Sequence, residues 1–212
     1  MLDKPDLVCH NSIKRATQTE KKEGKMSHFS VTVIVDEEYC SYPEARVEKL
    51  LEPYDENGEW FAEGSRWDWW VTGGRYSGLL CNKVSGLWGD IVAKNEIDWE
   101  KMGEREAAEW RKSWRDEAAR QEPIKKDANG NGVITLPCSG EIVTEDEYVR
   151  NNLSAFCTHA FVDKDGEWHE NGRMGWFGTK IDEGDDDWPS QYRKLLRSVS
   201  DESHLAIVDC HV

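Results

Sequence analysis

The amino-acid sequence predicts an α+β fold: a mostly antiparallel sheet with helices packed on one face, an elaborated ferredoxin-like core being one candidate topology. Three observations carry this prediction. A β-branched run at 28–35 and an apolar run at 205–212 read as strands near the two ends of the chain. Between them, helical periodicity appears in separate blocks. The resulting order is strand, helix, broken strands, helix, hairpin, helix, strand, which is the pattern of an α+β domain.

Residues 1–25 are polar, without periodicity, and end in Thr19-Glu20-Lys21-Lys22-Glu23-Gly24-Lys25. They read as a disordered N-terminal extension, with Met26 a candidate true start and 26–212 a single α+β domain. The first strand, His28-Phe29-Ser30-Val31-Thr32-Val33-Ile34-Val35, places Phe29, Val31, Val33 and Val35 on one face. Residues 43–51 follow as a short helix with Ala45, Val47, Leu50 and Leu51 inward, stopped near Pro53. Asp55-Glu56-Asn57-Gly58 is a turn.

Residues 60–61, 67–71 and 77–80 read as short strands broken by glycines. Asp98 is placed to cap a helix over 98–121 that carries Trp99, Gly103, Ala107, Trp110, Trp114 and Ala118 at helical spacing. Asp127 to Gly132 forms a turn before a strand at 133–136, and 145–151 is a short helical turn. The segments 156–162 and 167–169 flank Asp163-Lys164-Asp165-Gly166, a hairpin signal. Trp188-Pro189 opens the last helix, 188–199, and the final strand ends in Asp209-Cys210-His211-Val212.

Composition limits the function classes. Charged residues make up 33% of the chain and no apolar run is long enough to span a bilayer, so a membrane partner is not expected and a cytoplasmic location is the default. A formal charge of −15 argues against non-specific nucleic-acid binding, which needs a basic face to displace counterions. The same charge suits an acidic inhibitor that docks on a basic host protein. Cys9, Cys40, Cys81, Cys138, Cys157 and Cys210 are widely spaced and read as free thiols rather than a zinc framework.

Two glycine-aromatic stretches carry the site chemistry. The first runs through Arg66, Trp67, Trp69, Trp70, Gly73, Gly74, Arg75, Tyr76 and Gly78; the second is Gly172-Arg173-Met174-Gly175-Trp176-Phe177-Gly178. Indoles stack on planar groups, glycines admit close approach to the backbone, and a guanidinium fork matches phosphate. A small anionic, nucleotide-like ligand is therefore expected at Trp67, Trp69, Trp70, Gly73, Gly74, Arg75, Gly78, Arg173 and Trp176. Neither stretch matches a known phosphate-loop spacing. The competing reading is a Trp-packed hairpin whose rings fill the core. If strand alternation holds, Trp67 and Trp69 point one way and Trp70 the other.

A second constellation depends on topology. If the first and last strands pair antiparallel, His28, Asp209 and His211 share one sheet end, a set able to hold a metal in a hydrolase or to act as acid and base. His159 joins them if its strand runs parallel to the first. No cofactor is implied, and whether any reaction is catalysed is left open.

The chain resembles a family of uncharacterised proteins common in bacteriophage genomes. The resemblance rests on Met26-Ser27-His28-Phe29, Pro53-Tyr54-Asp55-Glu56-Asn57, Trp67-Asp68-Trp69 with Gly73-Gly74-Arg75 and Gly78, Gly166-Glu167-Trp168, Gly172-Arg173-Met174-Gly175-Trp176 and Val208-Asp209-Cys210-His211. It covers most of 26–212. It implies a phage or prophage origin, with the host cytoplasm as location, and no particular activity; the family's residue at the position of Arg173 is often acidic.

Overall fold

Strand β1 (His28–Val35) forms where the β-branched run predicts it, and a computed structural model shows it at the centre of a six-stranded sheet. Described are residues 28–57, 64–121, 123–137, 139–153, 156–173 and 187–212; the N-terminal arm and the strand expected at 60–61 lie outside them. The elements that follow β1 are α1 (Pro43–Leu51), β2 (Trp69–Thr72), β3 (Leu80–Cys81), β4 (Trp88–Gly89) and β5 (Ile91–Ala93). Next come α2 (Trp99–Arg120), β6 (Lys125–Lys126), β7 (Gly132–Thr135), β8 (Ile142–Thr144) and α3 (Glu145–Asn152). The chain closes with β9 (Ala160–Val162), β10 (Trp168–Glu170), α4 (Trp188–Ser198) and β11 (His204–His211).

The main sheet has the order β10-β9-β1-β11-β2, with β5 also on the outer edge of β11. Only the β1–β9 pair is parallel among these pairings. The fold is thus α+β with a mostly antiparallel sheet. The first and last strands pair along their whole length, from His28 opposite His211 to Val35 opposite His204.

The helices do not share one face. On one side, Phe29, Val31, Val33 and Val35 pack with Val47, Leu50 and Leu51 of α1 and with Val208 and Cys210. On the other, Ile34, Leu205 and Ile207 pack with Trp188 and Tyr192 of α4 and Met102 of α2. A ferredoxin-like core keeps its helices together on one side of the sheet, so that candidate topology does not describe this chain. The physical reason lies in β11, which is buried at every position from Leu205 to His211. A strand apolar on both faces needs cover on both. Thr32 sits inside the α4 side without penalty, because its hydroxyl bonds the Tyr192 hydroxyl at 2.7 Å and that of Thr158 at 3.0 Å.

Helix α2 starts as expected, the Asp98 carboxylate accepting the Lys101 N–H at 3.0 Å. Its buried residues are Met102, Trp114 and Ala118, whereas Trp99 is exposed. No single stripe exists because the helix serves two layers: Met102 joins the main core, and Trp114 and Ala118 cover the small sheet β6-β7-β8 with Ile134 and Val143. No helix among the described residues is long and apolar enough to cross a membrane.

Candidate functional site

The outer edge of β11 is shared by two short strands, and the glycine stretch occupies the gap between them. β2 pairs with Val208 to His211 and β5 with His204 to Ala206. At the junction the Gly73 N–H donates to the Ile207 carbonyl and the Ile207 N–H to the Asp90 carbonyl, both at 2.8 Å. The chain therefore leaves the sheet at Gly73 and returns at Asp90.

Two carboxylates and one guanidinium hold this excursion. Asp209 accepts the Arg75 N–H at 2.9 Å; Asp90 accepts the Gly78 N–H at 2.6 Å and the Ser77 hydroxyl at 3.0 Å. Arg105 of α2 donates to the carbonyls of Gly78 and Leu79 and lies 3.7 Å from the Trp88 ring centroid. The glycines are required for this clasp. A Cβ on Gly73, at φ +73°, would stand 2.2 Å from Asp90 Oδ2, and one on Gly74, at φ +53°, 2.5 Å from Asp209 Oδ2. The Arg75 and Gly78 N–H groups are thus occupied by the protein's own carboxylates. Gly73 and Gly74 admit the protein's own carboxylates to the turn, and the Gly78 N–H is bonded to Asp90.

The tryptophans divide differently from strict alternation. Trp67 precedes β2 and is buried in the α1-side core, with Trp70 packed partly buried against the same core. Trp69 alone of the three lies on the opposite face, with half its surface exposed. Asp68 falls at the bend before the strand, so the period of two does not extend back to Trp67. The expected contacts at Trp67 and Trp70 are core packing.

Beside Trp69 the histidines meet. Residues of β1 and β11 that face each other across the sheet share a side, which puts His28, Asp209 and His211 on the face of Trp69. His28 Nδ1 lies 2.9 Å from Asp209 Oδ1, and His211 Nδ1 makes a short bond to Asp68 Oδ1. The two imidazole centroids are 5.1 Å apart, edge to face, and the Trp69 ring is 6.4 Å from that of His28. The His211 side chain is only 10% exposed, and its Nε2 is buried without a hydrogen-bond partner. Tyr76 closes the floor, its hydroxyl donating to the His28 carbonyl at 3.3 Å. Burial, and then the charge of Asp209, push the Tyr76 phenol up to about 12; burial and the same charge raise the Cys210 thiol.

The metal set His28, Asp209 and His211 is brought together as residues but not as ligands. Both Asp209 oxygens are engaged, one by His28 and the other by the Arg75 N–H, so Asp209 orients a ring instead of offering a metal contact. His159 does not join: its ring packs edge-on to Phe29. Sequence reasoning missed Asp68, the orienting partner of His211, and Asp90. An acidic residue flanking the paired strand end was the available signal for the first. Among the described residues, metal-capable atoms of three side chains converge at Asp163, Glu167 and His169 on the β9–β10 hairpin.

The Arg75 guanidinium is exposed and makes no ion pair among the described residues, while its backbone is anchored on Asp209. Arg66 of the first stretch has its Nε 3.0 Å from Glu170 Oε1, two residues before Gly172. Arg173 is partly buried, and no described contact brings it to the histidines. Trp176 lies outside the described residues. At the far end of β11, Cys40 Sγ is 2.7 Å from His204 Nδ1; burial, then Glu37, raise that thiol, which disfavours a nucleophilic role. Cys210 and His211 point to opposite faces, as adjacent strand residues must.

Comparison of the chain with protein-family models, with curated proteins and with solved structures gives no match.

Proposed function

We propose that the protein is a phage-type protein of the host cytoplasm that binds a small anionic, nucleotide-like ligand at the His28–His211 end of the sheet and so sequesters or alters a host signal. The observation that carries this reading is the His211 imidazole, nine-tenths buried with an unpartnered Nε2. Leaving a buried polar nitrogen unpaired costs about 1–3 kcal/mol, a cost that a hydrogen-bonding ligand removes. Two further groups that a nucleotide uses belong to the same strand end, Trp69 beside His28 and Arg75 with its backbone on Asp209. Trp69 offers an exposed indole face for a base, and Arg75 an exposed guanidinium, without an ion pair among the described residues, for phosphate.

Isothermal titration calorimetry against mononucleotides and cyclic dinucleotides tests this. Binding of at least one member is expected, with Trp69→Ala and Arg75→Ala each weakening it about tenfold or more, in line with about 1–3 kcal/mol for one stacked base. No binding across the panel, or binding untouched by both changes, overturns the reading.

A further inference from the structure

We infer that the His28–His211 pair is a proton-transfer site that hydrolyses a phosphodiester in the ligand bound there; this rests on the binding reading above and adds a reaction to it.

The argument starts from the unused nitrogens. Each ring commits Nδ1 to a carboxylate, His28 to Asp209 and His211 to Asp68. When Nδ1 carries the hydrogen, the Nε2 of a neutral ring is an acceptor, and the Nε2 of a protonated ring is a donor. Both rings therefore present the same working atom. Their centroids are 5.1 Å apart and the rings stand edge to face. A single imidazole with a bonded carboxylate is common as a structural feature. Here two such rings stand edge to face at one strand end, and the Nε2 of His211 is buried without a hydrogen-bond partner.

The carboxylates do more than aim the rings. Asp209 is almost wholly buried and is itself fixed by the Arg75 N–H, so its charge stays in place beside His28 as a proton arrives. Asp68 is tied into the strand end, its N–H donating to the His211 carbonyl at 2.9 Å. Orientation and a fixed compensating charge are the two services a carboxylate gives a catalytic imidazole.

In the step, the neutral ring takes a proton from water through Nε2 as the water oxygen forms a bond to phosphorus. The phosphorus–oxygen bond to the leaving alcohol breaks, and the protonated ring gives its Nε2 proton to that oxygen. Water is added across one ester bond, giving a phosphomonoester and an alcohol. No electrons are exchanged, and the rings recover their starting states by proton exchange with solvent. Arg75 and Trp69 hold the substrate, and no metal is needed.

The test uses the full chain in EDTA, with bis(4-nitrophenyl) phosphate and the calorimetric nucleotide panel as probes. Turnover with a bell-shaped pH profile is expected. His28→Ala and His211→Ala should each lower kcat about 10²–10⁴-fold, the range for one general acid or base. His28→Gln and His211→Gln, with urea midpoints for all variants, separate lost chemistry from lost folding. The glutamine variants should bind nucleotide while losing turnover and one limb of the pH profile. Binding without turnover in the wild-type protein overturns this inference alone, and absence of both overturns the binding reading as well. Turnover that survives either histidine change, or that appears only when zinc is added back, also overturns it.

Discussion

Replacing Gly74 by alanine tests the account of the glycine stretch where it meets Asp209. The residue has φ +53°, where an L side chain costs about 1–2 kcal/mol. The new Cβ would stand 2.5 Å from Asp209 Oδ2, 2.6 Å from Asp209 Cβ and 2.8 Å from Val71 Cγ1. Asp209 cannot swing into solvent, because it is 1% exposed. Moving it breaks its bonds to His28 and the Arg75 N–H, and a hydrogen bond to a charged group contributes about 1.5–3 kcal/mol. Gly74→Ala should therefore destabilise the protein by on the order of 3–5 kcal/mol, a large part of the total for an ordinary domain. Urea unfolding followed by tryptophan fluorescence measures it. Gly103→Ala supplies the control: its Cβ meets nothing within 4 Å, and it lies inside α2. There alanine should stabilise by about 0.5–1 kcal/mol. A Gly74→Ala protein within about 0.5 kcal/mol of wild type would refute the reasoning, because surface-like tolerance means that the clasp is not tight.

Trp67→Ala should cost about 3–5 kcal/mol of stability as a large-to-small core change, whereas Trp69→Ala should cost under about 1 kcal/mol and act on ligand binding; paired unfolding curves and calorimetry check the split. The Tyr76 phenol is raised from 10.0 to about 12 in the folded protein, so its contribution is complete below pH 10 and is lost as pH rises through about 12. That loss is on the order of 2 kcal/mol and should appear as a fall in urea midpoint across this window, shallower in Tyr76→Phe. Thr144 and Glu147 form a reciprocal capping box at the start of α3, so Thr144→Ala should lower stability by about 1 kcal/mol, read by the same unfolding assay.

Much of the fold was legible because local pattern and tertiary environment agree. The period of two in 28–35 is the β1 burial pattern on its α1 side, and Pro43 at the start and Leu50 and Leu51 inside mark α1 with no help from context. The Asp163-Lys164-Asp165-Gly166 turn was readable because Gly166, at φ +89°, is a conformation that glycine supplies. The capped start of α2 was readable for the same kind of reason, but its buried face was not. Periodicity assigns one stripe to a helix, and α2 divides its contacts between two cores.

The site was legible only in part. That His28, Asp209 and His211 share a sheet end followed from a single assumption about strand pairing, and the register His28 to His211 meets it. Their roles did not follow. Asp209 reads in sequence as a third ligand beside His211, yet in three dimensions it is the shared anchor of His28 and the glycine turn. The glycines and tryptophans misled for a related reason. Close approach to a backbone is a property of Gly73 and Gly74 whichever group approaches, and here that group is an aspartate of the same chain.

What the sequence alone determined is therefore the inventory set by short-range chemistry: strand and helix positions, caps, turns, free thiols and an acidic balance. These depend on residues within a few places of one another. What only the tertiary structure decided is which polar groups satisfy each other across 134 or more residues: Arg75 with Asp209, His28 with Asp209 and His211 with Asp68. Those pairings turn on strand register and on the side from which each face is covered, which neighbouring residues do not encode. They also leave one buried nitrogen of His211 unanswered, and that is where the chemistry of this protein is proposed to lie.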